Sequence, residues 1–517
     1  MPPNDVSIPY VKRVNTLLVD AEIQSDWRGT RSFFVPCTSL AAIVNRRCVE
    51  RVLEDVTDIT KPEGKEIVAR IWGTSSTSCE DSEDDEPSFR KVLATLIRID
   101  KHKSILDFMK HNPPINDQVL PLYMVHNLEG RRCGLALGSS KNTPIAFTTG
   151  WTIDDCEKFL SIQWRFYPTF FAVEGNKDDN DGHKKVHYEC HPETILPFVY
   201  RPSPTSTWNH PGPVSPRQDP IIGGFSIVSF HELHRSQQNL RRYTTEGADR
   251  KVAVKRLITP NRDEFDKELK MLIRLTPLRT PHLAKLLATF EIQGKSATER
   301  DFCFMSEKAD SSLQDFWKQE PSDLPNASPA GLRRWVAQQC HGLAEGMQLI
   351  HDYKYEQQNV LESKIGFGAA PTPKHGFHGD IKPGNILVYN TWVGHENNLG
   401  LLQITDFGIS SFHHTASLSG ISRGRDAHSY RPPESNLPFM KTTQSHDIWT
   451  LGCLFLDFLT WLVKGTEAIV DFQNKRRSYG FSDNEVISTF YQVDGQDGRT
   501  VISISDEVLA VSQIASI

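Results

Sequence analysis

One short stretch constrains the fold of this chain more than any other: HGDIKPGNILV at 378–388, where charged and turn-forming residues open directly into an apolar strand pattern. Alone, HGDIKPGN reads as a polar loop between two elements. Its companions give it weight. ITDFG at 404–408 follows the apolar LLQI, so Asp406 emerges at the end of a short strand. Upstream, KVAVK at 251–255 has strand character, and because residues two apart share a face, Ala253 and Lys255 point together. FDKELKMLIRL at 265–275 then places Phe265, Leu269 and Leu272 on one helical face, with Glu268 set to meet Lys255 and Glu264, one turn earlier, as its rival.

A chain of 517 residues is too long for one ordinary core, so two domains with a linker are expected. The boundary falls in RPSPTSTWNHPGPVSPRQDP at 201–220, whose six prolines read as an extended linker. Before it, FRKVLATLIRIDKHKSILDFMK (89–110) and DDCEKFLSIQWRFY (154–167) carry apolar residues at helical spacing and predict a mostly helical first domain over 1–200. CEDSEDDEP (79–87) and NKDDNDGHKK (176–185) read as exposed loops. Aligning Gly182 with the glycine of a calcium loop puts Lys177 and Tyr188 where carboxylates are needed, which rejects that site. His183, His187 and His191, with Cys190, match no common metal spacing.

A net charge of −6 gives no overall drive toward nucleic acid or anionic membrane. Nine cysteines without a CxxC pair suit reduced thiols, and the N-terminus lacks a secretory pattern, so the cytoplasm is the expected compartment, with the nucleus left open. LGCLFLDFLTWLV (451–463), interrupted by Asp457, is shorter than the roughly 20 residues a bilayer needs and predicts a buried helix rather than a membrane span. Ile448, Leu451, Phe455 and Leu459 mark its expected inner side.

In order and spacing these motifs resemble those of eukaryotic protein kinases, Asp380 and Asn385 being separated as in H-R-D-x-x-x-x-N. The resemblance implies an α+β bilobal fold at 221–480, with a β-rich upper lobe and a helical lower lobe, preceded by the helical first domain and followed by an atypical tail at 481–517. It implies that Asp380 receives or orients the proton of an attacking hydroxyl and that Asn385 and Asp406 hold Mg2+. Lys255, oriented by Glu268, would bind the phosphates of ATP. Lys382 matches the lysine by which serine/threonine kinases neutralise the transferred phosphate. Gly223, Gly224, Val228, Ala253, Glu307 and Ala309 would line the nucleotide site, with Ser306 as gatekeeper.

YRPPE (430–434) and HDIWTLGCLF (446–455) resemble the end of the activation segment and the start of the buried central helix, where Asp447 would accept backbone hydrogen bonds from the catalytic loop. With SRGRDAHSYRPPE and DIWTLGCLFLDFLTWL included, the chain is similar to serine/threonine kinase-like proteins of filamentous fungi. The implied activity is transfer of the ATP γ-phosphate to protein hydroxyls. A catalytically weak scaffold is the alternative, and a protein partner is expected for the first domain.

Three departures from the pattern bear on competence. IIGGFSIV (221–228) keeps only Gly223 in register, with Ile221 and Ser226 at the outer glycine positions, although Gly224 and Phe225 preserve part of the lid. Gly379 replaces the arginine of H-R-D, removing the cation that pairs with a phosphorylated activation loop, while Ser417, Ser419 and Ser422 still lie near Arg423 and Arg425. The residues after the central helix lack the helical pattern of a full lower lobe, so a truncated lobe is expected. Glu434 would lose its usual arginine there, with Arg476 or Arg477 as substitutes.

Overall fold

The computed structural model describes residues 9–27, 29, 31–54, 56, 61–73, 87–126, 132–138, 143–172, 187–201, 220–223, 226–240, 249–259, 261–275, 280–294, 299–324, 328–352, 354–355, 374–392, 399–407, 429–436, 443–479, 486–496 and 499–514. The polar runs 79–86 and 176–185, linker residues 202–219, Gly224, Phe225, and Ser417, Ser419, Ser422, Arg423 and Arg425 lie outside the described residues.

The first region is mainly helical: α1 (Tyr10–Asp20), α2 (Cys37–Ile43), α3 (Arg46–Leu53), α4 (Lys61–Trp72), α5 (Arg90–Arg98), α6 (Ile105–Lys110) and α7 (Ile153–Phe166). Strands β1 (Ile23–Gln24) and β2 (Phe33–Phe34) pair, as do β3 (Tyr123–His126) and β4 (Arg132–Ala136). The helical stretch expected over 89–110 breaks after α5 because Asp100 turns left-handed at φ 59, a conformation aspartate tolerates. A reciprocal cap between Thr152 and Asp155 starts α7. Val92, Leu93, Leu96 and Phe159 are among the side chains that fill the common core.

The upper sheet has six strands: β6 (His187–Cys190), β7 (Ile221–Ile222), β8 (Ser226–Leu233), β10 (Arg250–Leu257), β11 (Leu286–Gln293) and β12 (Arg300–Glu307). Their spatial order is β6-β11-β12-β10-β8-β7. Apart from β6, which runs parallel to β11, every pairing is antiparallel. The outer strand β6 therefore comes from the first region, on the far side of the linker. Elsewhere β5 (Phe171–Ala172) pairs with β9 (Gln238–Asn239), and Trp27 packs against Phe198, His231 and Phe290. The first region is thus joined to the upper lobe by both hydrogen bonds and aromatic packing.

Helix α8 (Arg262–Leu275) begins where Asn261 Oδ1 accepts the amides of Asp263 and Glu264, and it buries Phe265, Glu268, Met271 and Leu272. Below lie β13 (Ser311–Ser312), α9 (Leu313–Phe316), α10 (Pro329–Asp352) and the short pair β14 (Lys354–Tyr355) and β15 (Lys374–His375). They are followed by β16 (Ile386–Tyr389), β17 (Leu401–Ile404) and α11 (Gln444–Lys464). Leu343, Met347 and Ile350 of α10 are buried as expected.

Helix α11 differs from the expectation in length and in the placing of Ile448. Its 21 residues are long and apolar enough to cross a membrane by length and composition, although more than half of its apolar stretch is buried inside the protein. Ile448 is 60% exposed, whereas Leu451 is buried and Phe455 packs against the core as expected; the inner face also carries Asp447, Leu454, Asp457, Phe458 and Trp461. The two buried, hydrogen-bonded carboxylates fix that rotation, since turning them outward would break their bonds.

Beyond α12 (Thr466–Lys475), the hairpins β18 (Arg477–Tyr479) with β19 (Val486–Ser488) and β20 (Tyr491–Gln496) with β21 (Arg499–Ile504) lead to α13 (Asp506–Ile514). Phe490 and Val508 of this tail join Tyr430, Cys453 and Phe472 in one cluster. Arg476 does not reach for Glu434, which is only half-buried; it bonds the buried Asp457 at 3.2 Å, and Tyr430 donates to the same carboxylate. The Arg476 guanidinium lies 4.1 Å from the Phe472 ring centre and 3.6 Å from that of Phe490. The side chain of Arg477 lies outside the described residues. Among the described residues seven cysteines are free thiols, whereas Cys37 is disulfide-bonded, a departure from the expectation of thiols alone.

Candidate active site

Strand register sets the upper wall. Val228 and Phe304 stand opposite Lys255, and Phe230 and Ser306 opposite Ala253, so cross-strand pairing puts these side chains on one face of the sheet. Val252 and Val254 alternate to the other face and its core. On the shared face, Lys255 Nζ donates to Glu268 Oε1 at 2.8 Å and to Asp406 Oδ1 at 2.6 Å. Glu268, and not Glu264, is therefore the helix partner.

Burial opposes the charge on Lys255, yet Asp406 and Glu268 outweigh it and hold the amine well above an ordinary lysine. Burial pushes Glu268 up, with Lys255 pulling against it. Asp406 is held down, its burial overcome by Lys255. It is also one of two non-glycine residues at positive φ among those described, at 68°, a strained geometry of the kind that marks functional sites.

Asp447 at the start of α11 builds the lower wall. Its carboxylate, fully buried, accepts the amides of His378 and Gly379 at 2.6 Å each and meets His351 Nε2 at 2.9 Å. Those contacts overcome burial and keep the acid below its ordinary value. The His378 ring contacts the Thr405 carbonyl at 2.9 Å and lies edge-on to Phe407 at 5.7 Å. Gly379, standing where the pattern has arginine, takes φ 80, a conformation that costs glycine nothing and a side-chain-bearing residue considerably more. The missing arginine thus coincides with a left-handed bend that Asp447 holds in place.

From this loop Asp380 Oδ2 accepts from Lys382 Nζ at 2.7 Å and from Asn385 Nδ2 at 2.9 Å, while the Asp380 carbonyl accepts from Asn385 Nδ2 at 2.8 Å. The amide nitrogen of Asn385 is thereby committed, leaving its Oδ1 lone pairs to face a cation. The Thr405 amide donates to the Asn385 carbonyl at 3.0 Å, tying the Asn385 turn to the strand that delivers Asp406. A carboxylate held in its anionic form and an amide oxygen, joined by one backbone bond, make the hard oxygen set that suits a magnesium ion.

At the end of the sheet, Gly223 donates its amide to the Ser226 carbonyl at 2.8 Å, beside the antiparallel pairing of β7 with β8. The Glu307 side chain turns away to a buried pair with Arg250 at 3.3 Å, and its carbonyl accepts from Tyr389 Oη at 3.1 Å. Ala309 packs with Leu387 against Tyr389, Trp392 and Leu401. Sequence reasoning missed His351, Arg250, Leu387 and Tyr389. Only Leu387 had a readable signal: two residues past Asn385 on β16, it alternates with Ile386 and Val388, which face the lower core.

Residues 373–483 match the protein kinase domain family. A serine/threonine-protein kinase of Yarrowia lipolytica is 25% identical over 299 residues, covering 54% of this chain and 35% of that protein. One from Neurospora crassa is 33% identical over 255 residues, covering 46% of this chain and 38% of that protein. Cyclin-dependent kinase E-1 of Arabidopsis thaliana is 36% identical over 95 residues, 18% of this chain and 19% of that protein. The chain spans little more than a third of the length of the two fungal relatives. Motif order, lobe architecture and these matches agree that it carries a eukaryotic serine/threonine-type protein kinase domain resembling those of fungal kinases.

Proposed function

We propose that this chain transfers the γ-phosphate of ATP to serine or threonine hydroxyls of proteins. The supporting observation is the convergence of Lys255, Glu268 and Asp406 in one cluster and of Asp380, Lys382 and Asn385 in another, joined through the Asn385–Thr405 backbone bond. Asn385 and Asp406 would hold Mg2+, which would supply charge neutralisation to the phosphates. Lys255 places its ammonium against the phosphates while Glu268 keeps it from swinging. Asp380 orients the acceptor hydroxyl and takes its proton as the oxygen–phosphorus bond forms and the bond to the nucleotide's leaving oxygen breaks. Lys382, already on Asp380, offers its ammonium to the charge on the transferred group.

The organisation we propose keeps 1–200 as a first unit, 201–220 as linker, 221–480 as the catalytic unit and 481–517 as tail, with β6 lent across the linker. The protein substrates, the cytoplasmic setting and a partner for the first unit belong to the same reading. The test is transfer of labelled phosphate from Mg-ATP to a basic peptide or to the chain itself. Asp380→Asn is expected to lower the rate about 10²–10⁴-fold while nucleotide binding persists. Equal rates for both proteins would favour the scaffold alternative.

A further inference from the structure

Helix α8, which carries Glu268, is also touched by the first region. Strand β6 lies along β11 with His187 opposite Thr289 and Glu189 opposite Glu291. Without β6 the sheet would end in a bare edge at β11. The His187 ring sits 5.3 Å from the ring of Phe265, tilted by 52°, and its Nδ1 lies 3.1 Å from Thr289 Oγ1, which fixes the ring's orientation. Phe265 is fully buried, stacks on Phe302 at 4.7 Å, and precedes Glu268 by three residues on the same helical face. Beside it the buried Glu291 accepts Arg262 Nη1 from the first turn of α8 at 2.6 Å and Arg300 Nη1 at 2.9 Å.

His187, Glu189 and Glu291 lie close enough together to hold a cation. Both Glu291 oxygens already accept guanidinium N–H groups, whose positive charge repels a metal, so the cluster is an ion-paired anchor for the start of α8. We propose that His187, on a strand supplied by the first region, is a positioning residue that holds α8 where Glu268 meets Lys255, making the first region a built-in activator of phosphate transfer. The proposal rests on the kinase reading above. A helix displaced by about 1 Å at Phe265 would carry Glu268 out of hydrogen-bond reach of Lys255, and misplacements of that size cost large factors in rate.

Full-length His187→Ala and His187→Phe separate positioning from mere stability, because phenylalanine keeps a ring against Phe265. The readouts are kcat and KM for Mg-ATP, the melting temperature, and hydrogen–deuterium exchange of residues 262–275. The expected result for His187→Ala is a fall in kcat/KM of about tenfold with a melting temperature within about 2 °C of the native chain. Exchange in α8 should be faster, and His187→Phe should restore both rate and exchange. Native kinetics and exchange in His187→Ala would overturn the proposal, as would equal losses in both variants. If the native chain transfers no phosphate, the kinase reading fails on its own. The exchange comparison then decides: faster α8 exchange in His187→Ala alone supports positioning, and unchanged exchange refutes it.

Discussion

Removing the Arg476 guanidinium tests how the lower lobe closes. In the folded chain Arg476 and Asp457 are 3% and 0% exposed, 3.2 Å apart, and Tyr430 donates to the same carboxylate. Arg476→Met keeps most of the packing between Phe472 and Phe490 but strands a buried acid. Breaking a buried pair from one side costs about 3–5 kcal/mol. At roughly 2–4 °C per kcal/mol for a lobe of this size, the melting temperature should fall by about 6–20 °C. Asp457→Leu combined with Arg476→Met removes both charges and should recover most of that loss, because the acid is no longer stranded. Glu434→Gln, at a half-buried site, should shift melting by under about 2 °C. Scanning calorimetry of the four proteins decides the matter. If Arg476→Met and Glu434→Gln melt alike, the buried pair does not secure the lobe and the assignment of Arg476 to Asp457 is wrong.

Glu268→Gln should lower kcat/KM for Mg-ATP about 10- to 100-fold by loosening Lys255, while Glu264→Gln leaves steady-state kinetics unchanged; equal effects would return the choice of helix partner to the open state the sequence left. Asp447 is held below its ordinary value, so the folded chain binds this proton later than the unfolded one. Its contribution is complete above about pH 4 and is lost as pH falls through the lower folded value. Urea unfolding between pH 3 and 6 should show that acid-side loss in the native chain and a flatter profile in Asp447→Asn, on top of a lower stability at neutral pH.

The proposed site was legible because its chemistry leaves little choice of residue. Asp380, Asn385, Asp406 and Lys255 each need one side-chain type at a spacing set by a turn or a strand, and Glu268 needed only helical periodicity. Contacts made across long separations left no such mark. His351 reaches Asp447 from a helix end 96 positions earlier, and Tyr389 reaches the Glu307 carbonyl across 82, with no local pattern announcing either. The placing of Ile448 on the inner face of α11 was misjudged for a related reason. Apolar periodicity alone favoured Ile448, but Asp447 and Asp457 are satisfied only inward, and their hydrogen bonds outweigh one exposed isoleucine.

Strand β6 was the least readable element that bears on the site. HYEC is only four residues long, with no run of alternation and a charged residue at its centre, so by itself it has no reason to be a strand. It becomes one because β11, buried at seven of its eight positions, needs a partner along its outer edge. The demand comes from the sheet and not from the strand. A proline-rich linker therefore marks where the chain leaves one packed region, but not which residues each side contributes to the other. Here the side read as separate supplies a strand whose His187 packs on Phe265 of the helix that carries Glu268, and the competence of the active site cannot be judged from residues 221 onward alone.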